Sequence, residues 1–319
     1  MDEKVKWGVL GYARIARMHV IPAIKRSVNS ELWAVASQRP EARAACREET
    51  GCPRVYGTYE ELLDDPEVRA VYIPLPNSLH KEWTIQAARR GKHVLCEKPL
   101  ALNAAECREM IEACRMRGVK LMEAFMYRYT DRIQKVREVL ATGALGEIKY
   151  IHAVFRFFLD RDPDVRLVPE LGGGCLYDVG CYPVNFIGFV TGEAPEEVEA
   201  EAVYHRGVDV SFAAVLRYKS GIIVTLSSGF NSRLRTYAEI AGTKGVLEVP
   251  DTFLGNAGSI FLTTAEGRRE IPVAESDRYR LEIEDFAAAV LGDRPPMISL
   301  DESLRNMEVI ERLLAAARA

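Results

Sequence analysis

The feature that most limits the fold is an alternation, from Val5 to about residue 124, of short apolar runs with longer amphipathic stretches. Parallel strands can be joined only by a crossover long enough to hold a helix, so this alternation is the pattern of a parallel sheet built from βαβ units. Strands are expected over Val5–Leu10, Leu32–Ser37, Val68–Ile73, His93–Cys96 and Val119–Glu123. Helices are expected from the turn after Leu10 through Lys25, and over Pro40–Thr50, Tyr59–Leu63, Lys81–Arg90 and Ala104–Arg117. The count suits a Rossmann-type, doubly wound domain over residues 1–124, whose ligands bind outside the carboxyl ends of the strands.

From Ile148 the text changes to long alternating strands: Ile148–Phe158, Val208–Tyr218, Ile222–Ser228 and Tyr237–Ala241. Breaks at Lys219-Ser220-Gly221 and Gly242-Thr243-Lys244-Gly245 join them as hairpins, so a large, open, mainly antiparallel sheet is expected in an α+β domain over 125–319. Helices near Arg280–Leu291 and Leu300–Ala317 close the chain. Two domains also fit the length of 319 residues. An open antiparallel sheet needs its second face covered, which makes a homodimer or homotetramer through this sheet the expected assembly.

Charge excludes several classes of partner. A net charge of -4 with both signs interspersed leaves neither a basic stripe for nucleic acid nor a polybasic membrane patch. No stretch approaches the roughly 18 apolar residues of a membrane span, and the first apolar run, Trp7–Leu10, is too short for a signal peptide. The 7 cysteines form no C-x-x-C pair and no cluster with histidine at zinc spacing, so free thiols in the cytoplasm and no metal are expected.

The first chemical motif runs from Gly8 to Ala16. Read as G-x-G-x-x-G/A it starts at Gly11, with Ala13 in the second glycine slot and Ala16 in the third. In that fingerprint the backbone closes on a pyrophosphate at a helix N-terminus, which makes Gly11, Tyr12, Ala13, Arg14 and Ile15 candidate cofactor contacts. An ordinary strand-turn-helix packed on small residues fits the same text. An acidic residue at the end of the second strand would bind a ribose 2'-hydroxyl, but that strand ends Ala36-Ser37-Gln38-Arg39. Ser37 and Arg39 suit a 2'-phosphate instead, so NADP is preferred and NAD is the second choice. Arg39 and Arg43 also fit a plain solvated helix start.

Two further segments follow apolar strands and so lie where strand ends face a ligand: Pro74-Leu75-Pro76-Asn77-Ser78-Leu79-His80 and Cys96-Glu97-Lys98-Pro99. In the second domain Gly172-Gly173-Gly174 precedes Asp178-Val179-Gly180-Cys181-Tyr182-Pro183. The triple glycine permits close approach to a ligand or to a neighbouring segment. On a helix Asp178 and Tyr182 would share a face, and Pro183 restricts that helix to start or bend nearby. A capping aspartate and a packing tyrosine are the plain alternative. Arg128 within Phe125-Met126-Tyr127-Arg128-Tyr129 is a candidate for cofactor or substrate contact, with anchoring of the linker as the alternative. His19, His93, His152 and His205 share no ligand spacing and are expected to be packing or surface residues.

Together, these segments, with Tyr279 near Glu282-Ile283-Glu284-Asp285-Phe286, resemble the Gfo/Idh/MocA family over nearly the whole chain. The branch it resembles contains glucose-fructose oxidoreductase, NADP-dependent xylose dehydrogenases and dimeric dihydrodiol dehydrogenases, because tyrosine stands where inositol dehydrogenases have histidine. The resemblance implies that Lys98, Asp178 and Tyr182 are catalytic and that Lys98-Pro99 lies beside the nicotinamide. It also implies that Asn77, His80 and Glu97 help to place the cofactor, with Pro74 of the same strand-end segment as a further candidate; Tyr279 approaches the nicotinamide by the same analogy, with packing at a helix start as the alternative. Glucose-fructose oxidoreductase has an export signal and an N-terminal arm that this sequence lacks, which implies an exchangeable cofactor.

The implied activity is hydride transfer between a nicotinamide dinucleotide and a carbinol or carbonyl carbon of a sugar, polyol or trans-dihydrodiol. Tyrosine ordinarily loses its proton near pH ~10, so a base at that position needs a neighbouring cation, and Lys98 is the candidate. Asp178 would orient the substrate hydroxyl and Lys98. A sugar–sugar oxidoreductase with tightly held NADP and a non-catalytic dinucleotide-binding regulator are the competing expectations.

Overall fold

The N-terminal apolar runs become β1 (Val5–Leu10), β2 (Ser30–Ala36), β3 (Arg54–Tyr56), β4 (Ala70–Ile73), β5 (His93–Glu97) and β6 (Leu121–Ala124). The structure, a computed structural model, describes residues 3–318. These strands pair in parallel in the order β3-β2-β1-β4-β5-β6, that of a doubly wound sheet. Between them run α1 (Ile21–Arg26), α2 (Pro40–Thr50), α3 (Tyr59–Asp64), α4 (His80–Arg89) and α5 (Ala104–Met116). Val71, Tyr72, Ile73, Val94, Leu95 and Cys96 are fully buried in successive positions, as strands covered on both faces require. Side-chain caps set the helix starts. Thr58 and Glu61 form a reciprocal capping box on α3, and Asn103 accepts from the Glu106 N–H at 2.9 Å on α5. Each cap contributes about 1 kcal/mol.

Strand β3 was not anticipated from the sequence. Its three residues are only half-buried, and polar side chains fix it: Arg54 and Tyr56 both donate to the buried carboxylate of Asp65, at 2.8 and 3.0 Å.

The second half contains α6 (Asp131–Ala141), β7 (Ile148–Phe158), α7 (Cys181–Thr191), β8 (Glu197–His205), β9 (Val208–Arg217), β10 (Ile223–Gly229), β11 (Asn231–Gly242), β12 (Gly245–Pro250), β13 (Gly258–Thr264) and β14 (Gly267–Val273). Helices α8 (Arg278–Leu291) and α9 (Leu300–Ala316) follow. The eight strands form one sheet, β14-β13-β12-β11-β7-β10-β9-β8, antiparallel at every pairing except β7 with β10. Helices α6 and α7 pack on this sheet. Val203, Val215 and Ile223 on β8, β9 and β10 remain exposed.

The chain divides into two compact units: the residues up to Phe125 with Tyr279–Ser303, and Met126–Arg278 with the residues from Leu304 onward. The segment Tyr279–Ser303, which the sequence places with the second domain, groups with the first of these units. The physical reason is burial. Phe286 of α8 is fully buried with its ring 5.5 Å from that of Trp7 in β1, and burying a ring of this size contributes roughly 2 kcal/mol. All seven cysteines are buried, none of them in a disulfide.

Candidate functional site

In the first unit, Gly11 ends β1 with φ 107°, a conformation that a side chain strains, and its N–H donates to the Ala36 carbonyl at 2.8 Å. A Cβ there would stand 3.1 Å from Leu75 Cδ2. The chain then turns helical from residue 14, through a π-helical turn at Ala16–Val20 that runs into α1. Pro22 explains the wide turn: it has no N–H for the carbonyl four residues back, and the preceding Ile21 N–H reaches back to Ala16 instead. Tyr12 is buried and donates to Glu49 at 2.7 Å, which also pairs with Arg17 at 2.5 Å. Burial and then Glu49 raise the Tyr12 phenol well above its ordinary value, so it stays protonated. Ala13 accepts from the Arg17 N–H at 2.9 Å, Ile15 is half-buried, and Arg14 is exposed at the helix start.

At the end of β2, Ser37 is buried and its hydroxyl lies 3.4 Å from the Arg39 N–H, while the exposed Arg39 opens α2. The guanidinium of Arg43 donates to the carbonyls of Ser37 and Gln38 at 2.8 and 3.1 Å, so it holds this turn in shape. No carboxylate stands in Ala36-Ser37-Gln38-Arg39.

The turns after β4 and β5 are tied together. Pro74 is buried directly after β4, and Asn77 opens the short turn Asn77–Leu79 that leads into α4. His80 is fully buried, with Nδ1 2.9 Å from the Pro99 carbonyl and Nε2 2.9 Å from the Leu75 carbonyl. Burial first, and the Lys98 charge as well, lower its pKa, which favours the neutral ring. Tyr72 donates to Glu97 at 2.5 Å at the end of β5, and Lys98 follows, half-buried, with a cis bond to Pro99. From β6, fully buried Glu123 accepts the Leu100 N–H at 3.0 Å. His80 and Glu123 thus grip the Lys98–Leu100 turn at two successive residues. Tyr279, also in this unit, stacks on His19 at 4.8 Å.

In the second unit Asp178 lies within a π-helical turn, Leu176–Gly180, that passes directly into α7. Pro183 again sits just beyond the wide turn, as Pro22 does, so the expected start or bend is a π-turn. Arg166 Nε donates to Asp178 Oδ2 at 2.6 Å, and Arg166 also pairs with Asp164 at 3.2 Å. The Asp178 charge holds the Arg166 guanidinium above its ordinary value. Tyr182 is buried against Tyr127, Phe155 and Phe253, with its hydroxyl 3.6 Å from Met126 Sδ. Arg128 is buried, donates to Asn185 Oδ1 at 3.3 Å and lies 4.3 Å over the Phe189 ring. These contacts are those of an anchor. The triple glycine meets neighbouring segments: a Cβ at Gly173 would strike the carbonyls of Arg166 and Val168, and one at Gly174 the carboxylate of Asp209.

Sequence reasoning missed Arg166, Glu123 and Asp209. No spacing announces Arg166, which reaches Asp178 from a loop twelve residues away. Glu123 carries a signal, an acid inside an otherwise apolar strand. Among the described residues no group of three or more metal-ligating side chains is present, and no helix is long and apolar enough to cross a membrane.

Residues 5–125 match the model described as an oxidoreductase family with an NAD-binding Rossmann fold, and residues 133–248 match the GFO/IDH/MocA C-terminal domain. The chain is 40% identical to D-xylose 1-dehydrogenase (NADP(+)) 2 of Haloferax volcanii, over 98% of this chain and 97% of the relative. It is 34% identical to the trans-1,2-dihydrobenzene-1,2-diol dehydrogenase of Xenopus tropicalis, over 84% and 81%. The solved structure of KijD10, a 3-ketoreductase from Actinomadura kijaniata in complex with NADP and TDP-benzene, is similar with a TM-score of 0.93 at 30% identity, covering 98% of both chains. An aldose-aldose oxidoreductase from Caulobacter crescentus, complexed with glycerol, has a TM-score of 0.92 at 29% identity, covering 99% of this chain and 98% of the other. The chain belongs to the Gfo/Idh/MocA family of oxidoreductases.

Proposed function

We propose that this protein is an NADP-dependent dehydrogenase that interconverts a carbinol and a carbonyl carbon in a sugar, polyol or trans-dihydrodiol. The observation that carries the reading is the turn between β2 and α2. Ser37 and Arg39 open it without a carboxylate, and Arg43 holds its carbonyls, which fits a 2'-phosphate in place of a bare ribose hydroxyl. The likeness to an NADP(+) xylose dehydrogenase along the length of the chain supports the same choice.

The residues present fit a dinucleotide. Gly11 holds a backbone conformation that a side chain strains, and the helix from residue 14 offers its N-terminal N–H groups to a pyrophosphate. Tyr12, Ala13, Arg14, Ile15, Ser37 and Arg39 would hold the phosphate and adenosine end; Pro74, Asn77, Glu97, Lys98 and Tyr279 would serve the nicotinamide end. His80, whose ring nitrogens both face backbone carbonyls, acts by fixing the two turns. Arg128 acts through Asn185 and Phe189. When bound, the nicotinamide accepts or supplies the hydride.

Tyr182 is the acid/base group: during oxidation its phenolate takes the substrate hydroxyl proton, and during reduction its phenol returns it. Lys98 is assigned as the cation for the phenolate, because a positive charge stabilises the charged form. Asp178, with its carboxylate oriented by Arg166, positions the substrate hydroxyl. A homo-oligomer formed through the eight-stranded sheet and a cytoplasmic location complete the reading; exposed Val203, Val215 and Ile223 support the first and the seven buried cysteines outside any disulfide the second.

Similarity to an aldose-aldose oxidoreductase favours one second reading, in which a retained cofactor takes a hydride from one sugar and gives it to another. Absorbance at the nicotinamide band after gel filtration separates the two. Exchangeable cofactor and steady-state reduction of added NADP support the dehydrogenase, whereas retained cofactor and turnover only with paired sugars support the alternative.

A further inference from the structure

Asp209, the second residue of β9, is nearly fully buried, and its Oδ2 accepts two donors. One is the Leu176 N–H at 2.7 Å; the other is the Cys175 thiol at 3.0 Å. Both donors belong to the start of the helical segment that carries Asp178 and Tyr182. Its Oδ1 fills the space where a Cβ of Gly174 would stand, 2.2 Å away, and Gly174 has φ 118°. Ser228 on neighbouring β10 completes the seat: its hydroxyl is 3.4 Å from Cys175 Sγ and would be 2.9 Å from a Cβ at Gly180. Small residues at 174, 175 and 180 therefore let the segment rest directly on the polar ends of two strands. The carboxylate also faces the N-terminal end of a helix, where a negative charge is favoured.

We propose that Asp209 is a positioning residue for the reaction: its carboxylate, gripping the Leu176 amide and the Cys175 thiol, fixes the turn from which Asp178 and Tyr182 project. The proposal rests on the reading of Asp178 and Tyr182 as catalytic. Asp209 touches neither; it acts through the backbone. The Asp178 N–H donates to the Gly174 carbonyl at 3.1 Å, so rotation of the Gly174–Leu176 turn is transmitted directly to Asp178. Burial, followed by the adjacent Asp209 charge, raises the Cys175 thiol well above its ordinary value, which keeps it protonated and able to donate.

The test uses the full chain with NADP and whichever aldose, polyol or trans-dihydrodiol the wild type turns over best. Asp209→Ala should lower kcat by about 10- to 100-fold, the range that a small misplacement of catalytic groups produces, while the NADPH dissociation constant stays within about twofold. Asp209→Asn keeps an oxygen for the Leu176 amide and should recover kcat to within about threefold of wild type. Hydrogen exchange of the amides over 174–182 should quicken in Asp209→Ala and not in Tyr182→Phe. If Asp209→Ala does not fold, Asp209→Ser, whose hydroxyl falls short of the amide, carries the same expectations. A folded Ala or Ser variant with wild-type kcat, alongside an inactive Tyr182→Phe, overturns the role of Asp209. So does unchanged exchange over 174–182. Full turnover by Tyr182→Phe overturns the catalytic reading itself, and with it the purpose assigned to Asp209.

Discussion

Replacing Glu123 with glutamine should make the protein more resistant to unfolding at alkaline pH. The carboxyl is fully buried; Oε1 accepts the Leu100 N–H, and Oε2 has no hydrogen-bond partner. Burial, opposed by Ser303, the Leu100 amide and Lys98 and assisted by Glu302, pushes its pKa from the ordinary 4.5 up to about 8. The folded chain therefore holds this proton between those two values while the unfolded chain releases it. Stability falls as pH rises through that window, and the loss is complete above pH 8. At ~1.4 kcal/mol per pH unit, the wild type should lose on the order of 2–3 kcal/mol between pH 6 and pH 9 through this one group. Glutamine cannot ionise. Thermal and urea unfolding of both proteins across that range should show their stability difference shifting in favour of Glu123→Gln by this amount, or several degrees in Tm. Parallel pH dependences would refute the reasoning.

Other perturbations have equally definite outcomes. Gly11→Ala forces a side chain into a left-handed conformation beside Leu75, so it should cost about 1–3 kcal/mol by urea unfolding and weaken NADPH binding in a fluorescence titration. Arg39→Ala should weaken NADPH by about 10-fold or more and leave NADH nearly unchanged, because a charge-assisted phosphate contact is lost; equal effects on both would dismiss the 2'-phosphate role. Arg166→Ala leaves the Asp178 carboxylate without its 2.6 Å partner. It should lower kcat/KM for the substrate by about 10-fold, through misplacement, with NADPH affinity preserved.

Much of the fold was legible because burial wrote it into the residue order. Strands such as β1, β4 and β5 are buried on both faces and read as continuous apolar runs. Elements held by polar contacts were not legible. Three-residue β3 depends on Asp65, eleven residues from Arg54, and the Glu and Ala that dominate the first half of β8 have weak strand preference. The return of Tyr279–Ser303 to the first unit depends on the packing of Phe286 against Trp7, a contact without local signature. Within the candidate site, Gly11, Lys98, Asp178 and Tyr182 stood in recognisable motifs, whereas the groups that hold them in place are distant in sequence. Leu100 is held by Glu123, Asp178 by Arg166 and the Leu176 turn by Asp209. Pro183 is the exception, since its missing N–H marks the start or bend that the structure places at the turn before α7.

Hydride chemistry carried by Lys98, Asp178 and Tyr182 with NADP is open to direct test. Its most direct measurement is the reduction of NADP and of NAD, followed at the nicotinamide absorbance, across aldoses, polyols and trans-dihydrodiols, for the wild type, Lys98→Ala and Tyr182→Phe. Turnover with NADP in preference to NAD is expected, reduced by about 100-fold or more in both variants, with NADPH affinity of Tyr182→Phe intact. Tight dinucleotide binding without turnover of any substrate, or full activity in the two variants, would contradict it.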